Sequence, residues 1–90
     1  MIQVYHALVM DAMYKETAGI WPEEYAKVAE VDTDQLEVAF ELTNTIHRPW
    51  WTNPGVRAVK PTRSTSVGDV LVTPDGKAHR CMPSGWKTLG

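Results

Sequence analysis

Cysteine is nearly missing from this chain: Cys81 is the only one in 90 residues, so no internal disulfide can form. Long apolar runs are missing too. None approaches the roughly 18 residues that a membrane-spanning helix requires. The opening Met-Ile-Gln-Val-Tyr-His has no basic region and no long apolar core, so it does not read as a signal peptide. The lone cysteine and the lacking signal together set the expectation of a reducing, cytoplasmic location without membrane contact. The usual catalytic spacings are absent as well. There is no Cys-x-x-Cys, no His-Glu-x-x-His, no Gly-x-Ser-x-Gly elbow and no Gly-rich phosphate loop. These absences point away from an enzyme and set the expectation of no cofactor and no metal. No internal repeat or low-complexity tract breaks the chain. Ninety residues of ordinary globular composition, 43% hydrophobic and 22% charged, fit one domain spanning 1–90 with a modest core.

The net charge of −2 conceals a polarised layout. Nine acids and two bases fall in residues 1–47, and seven bases and two acids in residues 48–90. Such asymmetry speaks to partners and association rather than to fold. Folding that interleaves the halves would pair or solvate these charges. Folding that keeps them apart would leave an acidic face, a basic face or both.

Residues 2–9 alternate, with Ile2, Val4, His6 and Leu8 on one side, and read as a strand to about Val9. A helix over residues 7–17 is the competing reading, on the strength of its good helix formers. Gly19 and Pro22 make a break, Pro22–Tyr25 suits a single helical turn, and a second strand is expected over Ala26–Val31. Asp32 and Gln35 then have the spacing of a capping box. Leu36, Ala39, Phe40 and Thr43 recur at helical spacing, with Asp34, Glu37 and Glu41 on the opposite side. This predicts an amphipathic helix of about three turns ending near Asn44. Pro49, Pro54, Pro61 and Gly55 hold residues 45–62 in a loop, with a short edge strand at Val56–Lys60. Strands follow at Asp69–Thr73, Lys77–Met82 and Trp86–Leu89, separated by turns at Asp75-Gly76 and Pro83-Ser84-Gly85. The expected class is α+β: a small, mostly antiparallel sheet with one main helix packed on one face.

The chemistry-bearing residues gather in and around the loop. Arg48 precedes Trp50 and Trp51, and aromatic residues beside arginine can anchor a protein or stack on bases. In extended geometry adjacent side chains point opposite ways, so one tryptophan is expected to close the core and the other to face outward. Asn44 and Asn53-Pro54-Gly55 are explained by turn chemistry. Arg63-Ser64-Thr65-Ser66 has the groups to hold a phosphate, yet it leads into a strand rather than a helix N-terminus. Its hydroxyls are better explained as satisfying backbone groups and tying this loop to the one before it. His79 and Cys81 share a strand face, but Cys81 reads as a small buried hydrophobe.

The string Leu42-Thr43-Asn44, Pro49-Trp50-Trp51, Asn53-Pro54-Gly55-Val56 and Arg63-Ser64-Thr65-Ser66-Val67-Gly68-Asp69-Val70 resembles a signature of small, poorly characterised proteins of bacteria, phages and plasmids. The resemblance covers about Asp32 to Lys77. It implies a mobile-element or phage accessory protein that acts by binding, a setting that includes counter-defence inhibitors of the anti-CRISPR kind. No residue role comes with it.

Three readings therefore stand. The first is a non-enzymatic protein-binding module, with Asp34, Glu37 and Glu41 steering and Trp50 or Trp51 anchoring, aided by Arg48, Asn53 and Arg63. The second is a nucleic-acid binder using Arg48, Arg57, Lys60 and Arg63 with a stacking tryptophan. The third, an enzyme, requires His6, His47, His79, Cys81 or the Ser/Thr run to converge. A free sheet edge would also leave room for a homodimer.

Overall fold

The structure, a computed structural model, describes residues 1–8 and 20–89. Strand β1 (Ile2–Ala7) lies at the centre, between β2 (Tyr25–Val31) and β4 (Val70–Val72). Outside them lie β3 (Val56–Ala58) on one side and β5 (Ala78–Met82) then β6 (Gly85–Leu89) on the other, giving the order β3-β2-β1-β4-β5-β6. Every neighbouring pair is antiparallel. One helix, α1 (Leu36–Leu42), and a single 3-10 turn at Trp50–Thr52 complete the described elements. Among the described residues strands hold 37% against 13% helical, so the sheet dominates and the helix is an accessory layer.

Alternation builds the core as expected. Ile2 and Val4 point to the face that also carries Ala29, Val31 and Leu71, and Ala39 of α1 and Trp50 cover it. A β-bulge between Val4 and Tyr5 inserts Val28 into the β2 side, and Val28 is buried beside Ala29. The opposite face holds a second cluster of Ala7, Tyr25, Val70 and Ala78, flanked by Tyr5 and Trp21.

Several boundaries differ from expectation. Leu8, placed by alternation on the inner face, is 62% exposed, because β1 ends at Ala7. The continuation to Val9 and most of the competing 7–17 helix fall on residues 9–19, outside the described ones. β2 begins at Tyr25, one residue early. The helix is shorter than predicted, about two turns, and Asp32 does not cap it. The amide of Asp32 donates to the Gly55 carbonyl at 2.9 Å, which prolongs the β2–β3 pairing and keeps Asp32 too far back. The N-cap is Gln35, without a side-chain bond. Its amide instead donates to Thr33 Oγ1 at 3.1 Å. At the other end Thr43, not Asn44, closes the helix, its Oγ1 donating back to the Ala39 carbonyl at 2.8 Å. Edge strand β3 stops at Ala58, because the amides of Val59 and Lys60 both fold back onto the Val28 carbonyl at 2.7 and 3.1 Å. In the 73–77 turn Gly76 alone takes a positive φ, 85°, and donates to the Thr73 carbonyl while the Thr73 amide donates to Lys77. This is a type I turn followed by a glycine bulge.

Candidate functional site

Two places concentrate polar or aromatic side chains. The first is a buried polar clamp under the loop 62–69. Asp69 is fully buried and accepts four hydrogen bonds. Its Oδ1 receives the Ala7 amide at 2.9 Å and Arg63 Nη2 at 2.8 Å. Its Oδ2 receives the Ser66 amide at 2.8 Å and Arg63 Nη1 at 2.7 Å. The two-pronged guanidinium bond raises the Arg63 pKa further above its ordinary value, so the guanidinium stays charged. Thr65 Oγ1 lies 2.9 Å from His6 Nε2, and Asp69 Oδ2 lies 3.8 Å from the same nitrogen. Burial, helped by the Arg63 charge and opposed by Asp69, brings the His6 pKa down to about 4, so the imidazole is neutral near pH 7. Tyr25 donates its hydroxyl to the Gly68 carbonyl at 2.6 Å.

This clamp has histidine, hydroxyl and carboxylate together, but not as a catalytic relay. A relay needs the acid on one ring nitrogen and the nucleophile on the other. Here Thr65 and Asp69 share Nε2, and Nδ1 is buried without a partner. Thr65 itself has no exposed surface to offer a substrate. The beside-lying cleft of about 370 Å³ is lined by Lys60, Thr62 and Arg63 over Ala26 and Val28. The Arg63 charge there is already matched by Asp69.

The second place is a groove between α1 and the β5–β6 hairpin. Its deeper part, about 470 Å³, has Glu37, Phe40 and Glu41 on the helix side and Cys81, Met82 and Trp86 on the sheet side. Past Glu37 it opens into a wider trough of about 640 Å³ beside Asp34, Leu36, Asp75, His79 and Thr88. The helix thus runs antiparallel to β6, with Asp34 near Thr88 and Glu41 near Trp86. The rings of Phe40 and Trp86 meet edge to face at 6.2 Å and 81°. Glu37 and Glu41 are exposed and form no ion pair among the described residues, whereas Asp34 lies 3.4 Å from the Met1 amino group. His79 is held from both sides, 3.1 Å from Thr73 Oγ1 and 3.1 Å from Thr88 Oγ1. Cys81 forms part of the floor. Burial, with the Asp69 charge adding, pushes its thiol up to about 11, so it is protonated and unreactive near neutral pH.

The sequence candidates divide accordingly. Glu37 and Glu41 come together with an aromatic pair, and Asp34 extends their line. Arg48 and Trp51 are exposed, Trp51 by 40%, but neither lines the groove. Three candidates are structural instead. Trp50 is only 2% exposed and donates Nε1 to the Thr62 and Arg63 carbonyls at 3.0 and 3.1 Å. Asn53 is 3% exposed and donates Nδ2 to the Leu42 carbonyl at 2.7 Å. Arg63 is committed to Asp69. None of these three presents a free polar group to a partner. Phe40 and Trp86 were not among the candidates. Periodicity puts Phe40 on the apolar face of the helix, and Trp86, on the last strand, carries no local signal of a site.

Among the described residues no group of three His, Cys, Asp or Glu side chains converges to hold a metal ion, and no helix is long and apolar enough to cross a membrane. No protein family profile matches the chain, and no curated protein or solved structure matches it either.

Proposed function

We propose that this protein is a non-enzymatic protein-binding module whose α1–β6 groove takes a basic segment of a protein partner. The observation that carries the reading is the pairing of two carboxylates, Glu37 and Glu41, unpartnered among the described residues, with the half-buried Phe40–Trp86 pair in one groove. Aromatic walls supply apolar contact and can bind a cation through the ring face. The carboxylates mainly speed and orient the encounter. The resemblance of residues 32–77 to bacterial, phage and plasmid proteins extends this reading to an accessory protein of a mobile element, working in the cytoplasm as a counter-defence inhibitor. The residues of that shared string, Thr43, Asn44, Trp50, Asn53, Arg63, Thr65 and Asp69, are the ones that hold the fold together. They support a common scaffold rather than a common binding surface.

The basic half fits a nucleic-acid reading less well. Arg63 is matched by Asp69, and Arg57 Nη1 lies 3.9 Å from Glu30. Arg48, Lys60 and Trp51 remain exposed. Affinity capture from nuclease-treated host lysate separates the two. A protein captured by wild type, and lost with the double variant Glu37→Lys, Glu41→Lys, supports the groove. Capture that vanishes on nuclease treatment and steepens with falling salt, untouched by the Glu variants, would move the function to the basic side.

A further inference from the structure

The groove is bounded on one side by a sheet edge. β6 is the last strand in the order, and among the described residues nothing pairs with its outer side. It is also the longer of the two sheet edges, five residues against three in β3. The β3 edge is further cut short where Val59 and Lys60 fold back. Trp86 and Thr88, alternate residues of β6, face the groove, so the edge and the acidic helix flank belong to one surface.

We infer that the partner's segment binds as an added strand along the outer edge of β6, with Arg or Lys at alternate positions facing Glu37 and Glu41. The inference rests on the protein-binding reading above and makes it specific. Spacing supports it. Side chains at i and i+2 of a strand are about 6.8 Å apart, and those at i and i+4 of a helix about 6 Å. An added strand parallel or antiparallel to β6 runs along α1, so two alternate cations meet two carboxylates one helical turn apart. Main-chain pairing supplies affinity and the alternate side chains supply choice of partner. The other face of the added strand would lie beside Lys87, which favours neutral or acidic residues there. Lys87 also argues against a second copy of this chain as occupant. Full antiparallel self-pairing of Gly85–Leu89 centres on Lys87 and sets it against its own copy, and like charges directly opposite are unfavourable.

The test uses the full chain and a short synthetic peptide of alternating Arg and Thr. Binding is followed by calorimetry and by amide shifts of Trp86, Lys87 and Thr88. Two N-methylated versions are compared, one methylated at the Arg residues and one at the Thr residues. In a strand, alternate amides face the same edge, so one series blocks pairing with β6 and the other leaves it intact. Binding of the parent, retained in one series and weakened at least tenfold in the other, is the expected result. The variant Glu37→Gln, Glu41→Gln should bind about two- to thirtyfold more weakly at low salt, the effect of two exposed ion pairs. Equal binding of both methylated series overturns strand addition but leaves the groove reading intact if the Glu variant is still weak. A parent peptide that does not bind, while lysate capture remains Glu-dependent, overturns the inference alone. Loss of Glu dependence in both experiments overturns the groove itself. Sedimentation showing a dimer, with the amides of Trp86, Lys87 and Thr88 shifting on self-association, would assign the edge to a second copy and overturn the partner strand.

Discussion

Asp69→Asn is the sharpest single perturbation of this fold. The change preserves size and shape but replaces a carboxylate by one acceptor oxygen and one donor NH2 group. Asp69 now accepts four hydrogen bonds, two from the Arg63 guanidinium and two from the amides of Ala7 and Ser66. Asparagine can turn its oxygen toward one pair of these donors only, and its NH2 then faces the other pair, one guanidinium N–H and one backbone N–H. Arg63, its side chain 22% exposed, also loses its only counter-charge among the described residues. Removing one member of a buried ion pair costs about 3–5 kcal/mol, because the remaining charge stays desolvated. A chain of this size has about 5–13 kcal/mol of stability in total. The variant should therefore lose a large fraction of it. Urea unfolding read by tryptophan fluorescence measures this directly, with Trp50 as the buried reporter. With a slope of about 1 kcal/mol per molar urea, the midpoint should fall by about 3–5 M. The companion variant Arg63→Met should be destabilising as well, and the double variant Arg63→Met, Asp69→Asn should cost less than the two singles added together, because each removes the other's unpaired charge. A midpoint shift below about 1 M for Asp69→Asn, or simple additivity in the double variant, would refute the clamp as the keystone of the loop.

Acidification probes the same clamp. His6 has its pKa lowered from 6.5 to about 4, so between those pH values the unfolded chain binds a proton that the native one refuses. Stability should therefore be unaffected by His6 above pH 6.5, fall as pH drops through the window, and level off below about 4, a loss of about 3 kcal/mol. Denaturation across that range that shows no such fall would mean the imidazole titrates normally. The two tryptophans should separate cleanly in the same assay. Trp50→Ala should cost about 3–5 kcal/mol as a cavity-forming core change, and Trp51→Ala about 1 kcal/mol, the worth of its edge-to-face contact with Trp50 at 5.6 Å. Equal costs would contradict the assignment of one to the core and one to the surface. Cys81 should resist thiol reagents at pH 7.5 until the chain is unfolded, given its burial and a pKa near 11. Rapid labelling of the native protein would show that the groove floor is open.

The strands were legible because each is short, bounded by Pro, Gly or Asx turns, and patterned by burial that alternates locally. The helix was legible in its periodicity but not in its ends. Asp32 has the right spacing to cap, and only a long-range bond to the Gly55 carbonyl draws it into the sheet instead. The tryptophan pair does divide into one inward and one outward ring. The geometry that divides them is a 3-10 turn rather than an extended backbone. The 64–66 run does tie two loops together, but through its backbone rather than its hydroxyls: Asn44 Nδ2 donates to the Thr65 carbonyl at 2.6 Å and the Thr65 amide to Thr43 at 2.9 Å, while the Thr65 hydroxyl turns to His6 and the Ser66 hydroxyl to the Ser64 carbonyl. The adjoining Arg63, which the sequence offers as a free surface cation, is instead paired with Asp69 six residues on. The groove was half legible. The acidic stripe on α1 shows in the helical spacing of Asp34, Glu37 and Glu41, but its aromatic wall comes from Trp86 on a strand whose position beside the helix is set only by the order of six strands.

That dependence makes the position of α1 itself testable. The helix is fixed to the sheet by Ala39, and its C-terminal end is stapled to the 62–69 loop through Thr43 and Asn44. Val67 of the same loop lines the groove beneath Glu41. Asn44→Ala removes one hydrogen bond from this staple and no part of the groove wall. Its stability cost should be about 1 kcal/mol, the net worth of one such bond. If the staple holds the helix at its working distance from β6, binding of the alternating Arg-Thr peptide should weaken by more than that small loss accounts for in a still fully folded protein. The Glu37 and Glu41 contribution should shrink with it. Peptide affinity unchanged in a folded Asn44→Ala variant would mean that Ala39 packing alone sets the groove, and that the staple serves the loop rather than the site.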